Sequence, residues 1–532
     1  MTPSARGARR EIAIGTLWSA LTWVVSMLTG PVLVVALVRR MSRGQFGSLA
    51  TASSAVGLAT AVVTVGLQAS LTRFGAVVRA ENGWAGLQRL WGDTRRVIGL
   101  ATAGALVAGA VLLVSAYGIA NLHSSEFAIL AFLPALVVAP AAAAAGGFLR
   151  AAFRPRWVSL AGTVGPLAAA AVIVPEVVRS HPAAWAVALA RSGGTVLGAA
   201  ILLWGVAHWR SVDRPERAAA AGAVDGTPAA GAAEVVVTRG AVVRFGLAMQ
   251  VSVLFATAVS ELSVVVLGAS RGVHGPAIFA PTAGIAATVL AVPGLIGGFL
   301  LPGVAPAAAR GEHREVARLF HWASRWEMAI ATPAIAVMVV CPADVLRVLF
   351  GSGLVGGSDA LRILGVGCAV QFAFGYNGLT FSALAPPALI TKVQVANVAV
   401  AGLCAAVLIP ILGITGAAIA PTAALLFANV VTSTILDVKY HVPPADAAML
   451  ATVLVFAVAC PGIWEASTHV APGLVRCVFV AVAAGLASVV AAFVSGGRTE
   501  RERILGLLSE RRQRRSGGGS THLEASGSHA SG

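Results

Sequence analysis

The chain has 532 residues, of which 57% are hydrophobic and only 11% charged, and uncharged runs of more than about twenty residues recur along its length. This excludes a soluble domain of ordinary composition and defines a polytopic membrane protein. The formal charge of +16 does not point to nucleic acid: the arginines stand in short clusters between apolar runs, where the positive-inside rule accounts for them.

About twenty apolar residues span a hydrocarbon core, and that length predicts fourteen spanning helices. The first six cover 12–37, 48–71, 97–117, 127–148, 157–175 and 183–205. Arg6, Arg9 and Arg10 ahead of the first run resemble a signal peptide, but Ile12–Leu37 is too long for one and reads as a spanning helix. A second six cover 245–268, 277–300, 327–342, 359–384, 393–412 and 416–436, and a last pair follows at 447–465 and 474–494. Between the sixes, 208–240 is rich in Ala and Gly, cannot bury a core, and reads as a cytoplasmic linker. The expected organisation is an N-terminal six-helix bundle (1–207), the linker (208–240), a second bundle (241–437), an extra helix pair (438–495) and a basic, then disordered cytoplasmic tail (496–532).

With the N-terminus inside, these segments place 29 of the 38 basic residues on cytoplasmic stretches, eight on external loops, and one, Arg191, inside a helix. Sidedness flips at every crossing, so a missed helix would erase this asymmetry downstream. Both termini are therefore expected in the cytoplasm. The external loops are short and leave no room for an enzyme or receptor domain outside the membrane.

Ser42-Arg43-Gly44-Gln45-Phe46-Gly47 returns 228 residues later as Ser270-Arg271-Gly272-Val273-His274-Gly275, each copy between two apolar runs. The same offset matches Thr60 with Thr288, Gly66 with Gly294 and Leu67 with Leu295. A duplicated pair of bundles is a common transporter design, with the substrate path between the repeats.

Few residues could carry chemistry. In the seventh helix Gln250, Thr257 and Glu261 share one face. Glu261 lies roughly 24 Å into its span, and an ionisable residue at depth marks a pathway or pairs with a neighbouring helix; both readings are open. The equivalent face of the first helix is Thr22, Ser26, Thr29 and Leu33, so the only carboxylate is in the second half. Arg191, with Gly193, Gly194 and Thr195 beside it, either faces a cavity, snorkels or pairs. Facing a cavity, its planar fork would suit phosphate oxygens. Arg73 and Arg150 end their helices and are candidates for an inward mouth; in the tenth helix Asn377 adds neutral polarity.

Neither a nucleotide-binding G-x-x-x-x-G-K-[ST] motif nor a hydrolase signature is present, so no ATP-driven transport or catalysis is expected from this chain. Cys341, Cys368, Cys404, Cys460 and Cys477 are far apart in sequence and form no metal-ligand spacing; they read as small buried hydrophobes. No metal or organic cofactor is expected.

Ser42–Gly47 followed by Gly66-Leu67 and Thr72-Arg73-Phe74, and Asn397 followed by Leu408–Ala420, resemble the polysaccharide flippases of the multidrug/oligosaccharidyl-lipid/polysaccharide exporter superfamily. The resemblance covers about residues 10–495. It implies an all-α, MATE-like fold of two pseudo-symmetric six-helix bundles around a central cavity. It also implies alternating access that carries a polyprenyl-pyrophosphate-linked glycan from the inner to the outer leaflet of a bacterial plasma membrane. Pyrophosphate binding would fall to Arg191, with Arg73 and Arg150, and coupling to H+ or Na+ to Glu261; Gln250 and Asn377 complete the candidate substrate contacts. A cavity this sparsely basic departs from the family pattern. The implied partners are the lipid-linked glycan, membrane lipids and glycan polymerases or glycosyltransferases, with no nucleic acid. Two alternatives are a cation-coupled multidrug exporter of the MATE type and a non-transporting scaffold for glycan assembly. The scaffold requires Arg191 and Glu261 to be paired in a bundle without a cavity.

Overall fold

The computed structural model describes residues 22, 25, 29–119, 125–152, 154–179, 182–212, 238–292, 312–445 and 447–495. Every regular element among them is helical. In the first half these are α1 (29–40), α2 (Arg43–Val63), α3 (Leu67–Gly118), α4 (Glu126–Ala151), α5 (Pro155–Arg179) and α6 (Ala184–Val212). The second half holds α7 (Arg239–Thr257), a π-helical turn (Ala258–Leu262), α8 (Ser263–Arg271), α9 (His274–Leu290), α10 (His313–Val340) and α11 (Pro342–Phe350). A 3-10 turn (Ser352–Gly357) then leads to α12 (Ser358–Phe374), α13 (Asn377–Leu384), α14 (Pro387–Leu412) and α15 (Ile414–Tyr440). The last pair is α16 (Ala447–Thr468) and α17 (Leu474–Ser495).

Twelve described segments are long and apolar enough to cross a membrane. The other two expected spans, 12–37 and 277–300, extend outside the described residues, which cover α1 and α9 of them. The linker predicted over 208–240 lies largely outside the described residues, and the tail 496–532 entirely so.

The structure corrects the sequence-based boundaries where apolar runs conceal breaks or polar runs conceal helix. The second span is interrupted at Val65 and Gly66, both at positive φ (50° and 63°), so α2 stops and α3 begins inside one apolar stretch. Residues expected in the loop after it continue as α3, broken only by Gly83 at φ 61°. Arg73 therefore does not end a helix but lies within α3. The tenth span breaks between α12 and α13 at Gly375 (φ 57°). What was expected to be a plain external loop after the ninth span contains α11, started by Pro342 and supported by Asp344 in its first turn.

Both broken spans are spliced by a side chain from another helix. The α2–α3 break strands the Ala61 carbonyl and the Gly66 N–H, buried groups that must find partners. Gln250 of α7 satisfies both: its Nε2 donates to Ala61 O, and its Oε1 accepts from Gly66 N at 2.7 Å. Across the seam, a Cβ on Gly66 would lie 2.0 Å from Gly246 O, so only glycine fits this approach. At the second break the Tyr376 N–H donates to Ser324 Oγ of α10 at 3.1 Å.

The core follows the same division. One apolar cluster runs through both halves, from Leu49 and Phe132 to Phe279, Leu361 and Ile409. Two others are smaller: Leu71, Trp91, Phe148 and Trp209 of the first half joined by Val242 of α7, and Phe320, Phe381 and Leu436 within the second.

Candidate functional site

The shared core is hollow. A cavity of about 610 Å³ lies between the halves, walled by α1, α2 and α6 from the first and by α7–α9, α12 and α15 from the second. Its lining is mainly apolar, and its charged residues are Arg191 from the first half and Glu261 from the second. The Arg191 side chain is solvent-accessible within this wall, with its guanidinium 5.9 Å from the Phe132 ring centroid, a cation–π distance. Gly194 serves the helix rather than a ligand: its Cβ position is 2.4 Å from Gly165 O, so α5 and α6 touch backbone to backbone there. Gly193 faces open space.

Glu261 sits in the π-helical turn, where one extra residue per turn widens the helix and re-aims the side chain. Its Oε2 accepts a 2.6 Å hydrogen bond from Ser54 Oγ of α2. One turn along α2, Gly57 leaves room for the Glu261 side chain, 3.8 Å from where a Cβ would stand. The carboxylate is thus held by the opposite half through a single hydroxyl. The corresponding residue of the first half, Leu33, is in ordinary α-helix and partly buried.

The remaining candidates are placed elsewhere. Gln250 is 8% exposed and both ends of its amide are used in the α2–α3 splice, so the expectation of a substrate contact gives way to a structural one. Thr257 returns its hydroxyl to its own helix at Val253 O, and Thr22 donates to Ser159 O of α5; Ser26 lies outside the described residues. Arg73 is exposed with its guanidinium 4.5 Å from the Phe245 ring centroid, and Arg150 is exposed in the last turn of α4, where the helix dipole favours a cation. Neither lines the cavity.

Asn377 belongs to a second cavity of about 410 Å³ within the second half. Its Nδ2 donates to Asn429 Oδ1 (3.0 Å) and Ser433 Oγ (3.1 Å), while Asn429 Nδ2 donates to Gln371 Oε1 (2.9 Å). Phe255, Gln371 and Leu425 line both cavities, so the amide chain runs from the second chamber to the edge of the first. Glu327 of α10, 1% exposed, also lines the second chamber, and its Oε2 has no hydrogen-bond partner among the described residues. Sequence reasoning overlooked it because the ninth span was started at residue 327; α10 begins at His313, which puts Glu327 in mid-helix.

At the end of the bundle carrying the Ser-Arg-Gly turns, the halves are latched. Arg39 donates to Val348 O (2.6 Å) and Leu349 O (2.8 Å) at the end of α11, and Arg43 to Gly353 O (2.9 Å) in the 3-10 turn. Guanidinium groups here meet orphan carbonyls at helix ends, a favourable match.

This architecture is an all-helical one with a cavity between the first and second halves of the chain. Residues 12–296, more than half of the chain, match the family described as "Polysaccharide biosynthesis protein", and the chain belongs to that family. Its fold is similar to the structure titled "Lipid II flippase MurJ, inward closed conformation", with a TM-score of 0.61 at 10% identity over 93% of this chain and 99% of that one. It is also similar to an inward-facing multidrug resistance MATE family transporter of the MOP superfamily, with a TM-score of 0.54 at 14% identity over 77% of this chain and 98% of that one. No curated protein matches at the sequence level. The chain therefore joins membership of that family to the MATE-like fold these structures share.

Proposed function

We propose that the protein carries a polyprenyl-pyrophosphate-linked oligosaccharide or polysaccharide precursor from the inner to the outer leaflet of a bacterial plasma membrane by alternating access. The observation that supports this most is the cavity between the halves, largely apolar with a single guanidinium accessible in its wall. An anionic phosphate pairs with Arg191, the apolar wall tolerates the lipid, and Glu261 competes with the phosphate for the same local field. An intramembrane Arg that binds substrate only in one state supplies the differential affinity that any alternating cycle needs. Glu261, held to the first half only through Ser54, is the group at which H+ or Na+ coupling acts: protonation removes its charge and weakens that hydrogen bond. No catalytic step is required. Both termini lie in the cytoplasm, and glycan polymerases or glycosyltransferases are the partners that supply and receive the substrate.

The scaffold alternative called for a cavity-free bundle; the open cavity lined by Arg191 and Glu261 supports the transport reading over it. The test is leaflet exposure of a lipid-linked glycan in proteoliposomes, for wild type, Arg191→Ala and Glu261→Gln at two pH values. Wild type is expected to translocate, Arg191→Ala to lose translocation, and Glu261→Gln to lose its pH dependence. A wild-type protein that moves no lipid-linked glycan but expels an organic cation under a proton gradient is a multidrug exporter instead.

A further inference from the structure

Cys341 and Cys477 are 136 residues apart in sequence, yet the fold brings their sulfurs to 3.8 Å. Cys341 follows the last residue of α10 and is 4% exposed; Cys477 is in the first turn of α17 and partly exposed. The approach is built into a long helix contact. Further along it, Gly485 faces Pro333 and Ser488 Oγ donates to Ala329 O at 3.1 Å. Beside the thiols, Arg476 pairs with Asp344 at 3.3 Å, fixing the start of α17 against α11. Two rigid helices thus hold the thiols in contact from both sides.

We propose that Cys341 and Cys477 are a disulfide pair that staples the C-terminal helix pair to the second bundle. Their location decides the redox question. Cys341 leads directly into α11, whose end binds Arg39 at the close of α1, just before the first Ser-Arg-Gly turn, and the distribution of basic residues puts that end of the bundle outside the cytoplasm. Disulfides form and persist in that compartment. The inference rests on this sidedness but not on the identity of the substrate. The reaction is thiol–disulfide exchange with an external protein disulfide as oxidant. Cys477, the more accessible thiol, attacks one sulfur of the donor as its thiolate and releases the first donor thiolate, leaving a mixed disulfide. Cys341 then attacks Cys477 Sγ, forming the Cys341–Cys477 bond and releasing the second donor thiolate. Two protons leave the protein's thiols and two electrons pass to the donor, which ends as a dithiol. The closing motion is the approach of two sulfurs already in contact to bonding distance, about 2 Å. Cys460 on α16 packs against the same cluster and is the competing partner to be excluded.

The experiment uses the full chain in native membranes, alkylated with N-ethylmaleimide before solubilisation and digested without reductant. The expected result is a linked peptide pair containing Cys341 and Cys477 that vanishes on reduction, with maleimide on three of the five cysteines before reduction and on all five after. Cys477→Ser should leave Cys341 labelled, and Cys460→Ser should leave the linked pair intact. Maleimide on both Cys341 and Cys477, or a link from either to Cys460, would overturn the proposal. An impermeant maleimide directed at Leu474→Cys, exposed at the start of α17, in a Cys341→Ser/Cys477→Ser chain reports sidedness separately. If that site is external and the native thiols are free, the disulfide alone is wrong; if it is internal, the sidedness is wrong with it.

Discussion

The two Ser-Arg-Gly turns share one sequence pattern and hold different things. Each grips the turn between the fifth and sixth helices of its own half, for Pro182 and Pro410 are separated by the same 228 residues as the motifs. In the first half Gln45 does this, accepting from Ala184 N at 2.7 Å at the start of α6. In the second half the corresponding residue is Val273, which cannot, and Arg271 donates to Pro410 O at 2.8 Å instead. Arg43, relieved of that role, reaches across to Gly353 of the other half. The same pattern thus closes a helix turn in each half, and the difference between Gln45 and Val273 goes with an Arg43 that latches the halves together.

The turns also press on one another, and the largest expected effect lies there. A Cβ on Gly47 would stand 1.9 Å from the Val273 carbonyl, a backbone atom that cannot step aside. The matching Gly275 meets only the Leu267 side chain, at 2.8 Å. Gly47→Ala is expected to cost more than about 3 kcal/mol and Gly275→Ala about 1–2 kcal/mol, which repacking of Leu267 limits. Thermal stability of the purified protein in detergent reads this as a larger fall in midpoint for Gly47→Ala. Equal falls would mean that the turns do not meet backbone to backbone.

The spliced breaks provide a second, smaller contrast. Gln250→Ala orphans two buried backbone groups, whereas Ser324→Ala orphans one, the Tyr376 N–H. At about 1–3 kcal/mol for each unsatisfied buried group, Gln250→Ala should destabilise by roughly twice as much as Ser324→Ala. Because Gln250 joins the halves while Ser324 acts within one, only Gln250→Ala should also speed proteolysis at the α2–α3 break. Cleavage there at the wild-type rate would show that the splice is dispensable.

Much of this was legible from the sequence, and the losses have common causes. Twelve of the fourteen spans expected from hydropathy recur among the described residues, because hydropathy depends on composition over long windows. Arg191 and Glu261 stood out as charges that an apolar run would otherwise exclude, and the structure places both on the cavity wall. Residues whose meaning depends on a break were not legible. The Val65-Gly66 break lies inside an apolar run, so the backbone groups waiting for Gln250 could not be foreseen, and its polarity was assigned to a ligand. Glu327 was concealed by a boundary: the polar first half of α10 lowered hydropathy enough to start the span too late. The latch was not legible either: Arg39 entered only the tally of basic residues and Arg43 only the repeated motif, since the carbonyls they bind belong to residues more than 300 positions away.

The latch gives the finest test of how the two turns differ. Opening this end of the protein must break the bonds of Arg39 and Arg43 to Val348, Leu349 and Gly353, but leaves the Arg271 bond to Pro410 within one half. These arginines are exposed, so each is assigned only about 1 kcal/mol net, the middle of the range for intramolecular hydrogen bonds. Removing both should then favour the open state by about 2 kcal/mol, a shift of roughly thirty-fold in the ratio of open to closed. Spin labels on Gly44→Cys, half-buried, and Gly356→Cys, exposed, where an added Cβ meets nothing within 4 Å, report the separation of the halves at this end. The Arg39→Ala/Arg43→Ala protein is expected to gain a long-distance population that wild type lacks, while Arg271→Ala keeps the wild-type distribution despite some loss of stability. If Arg271→Ala opens the same distance, the two turns share the latch, and the asymmetry that distinguishes them is only one of sequence.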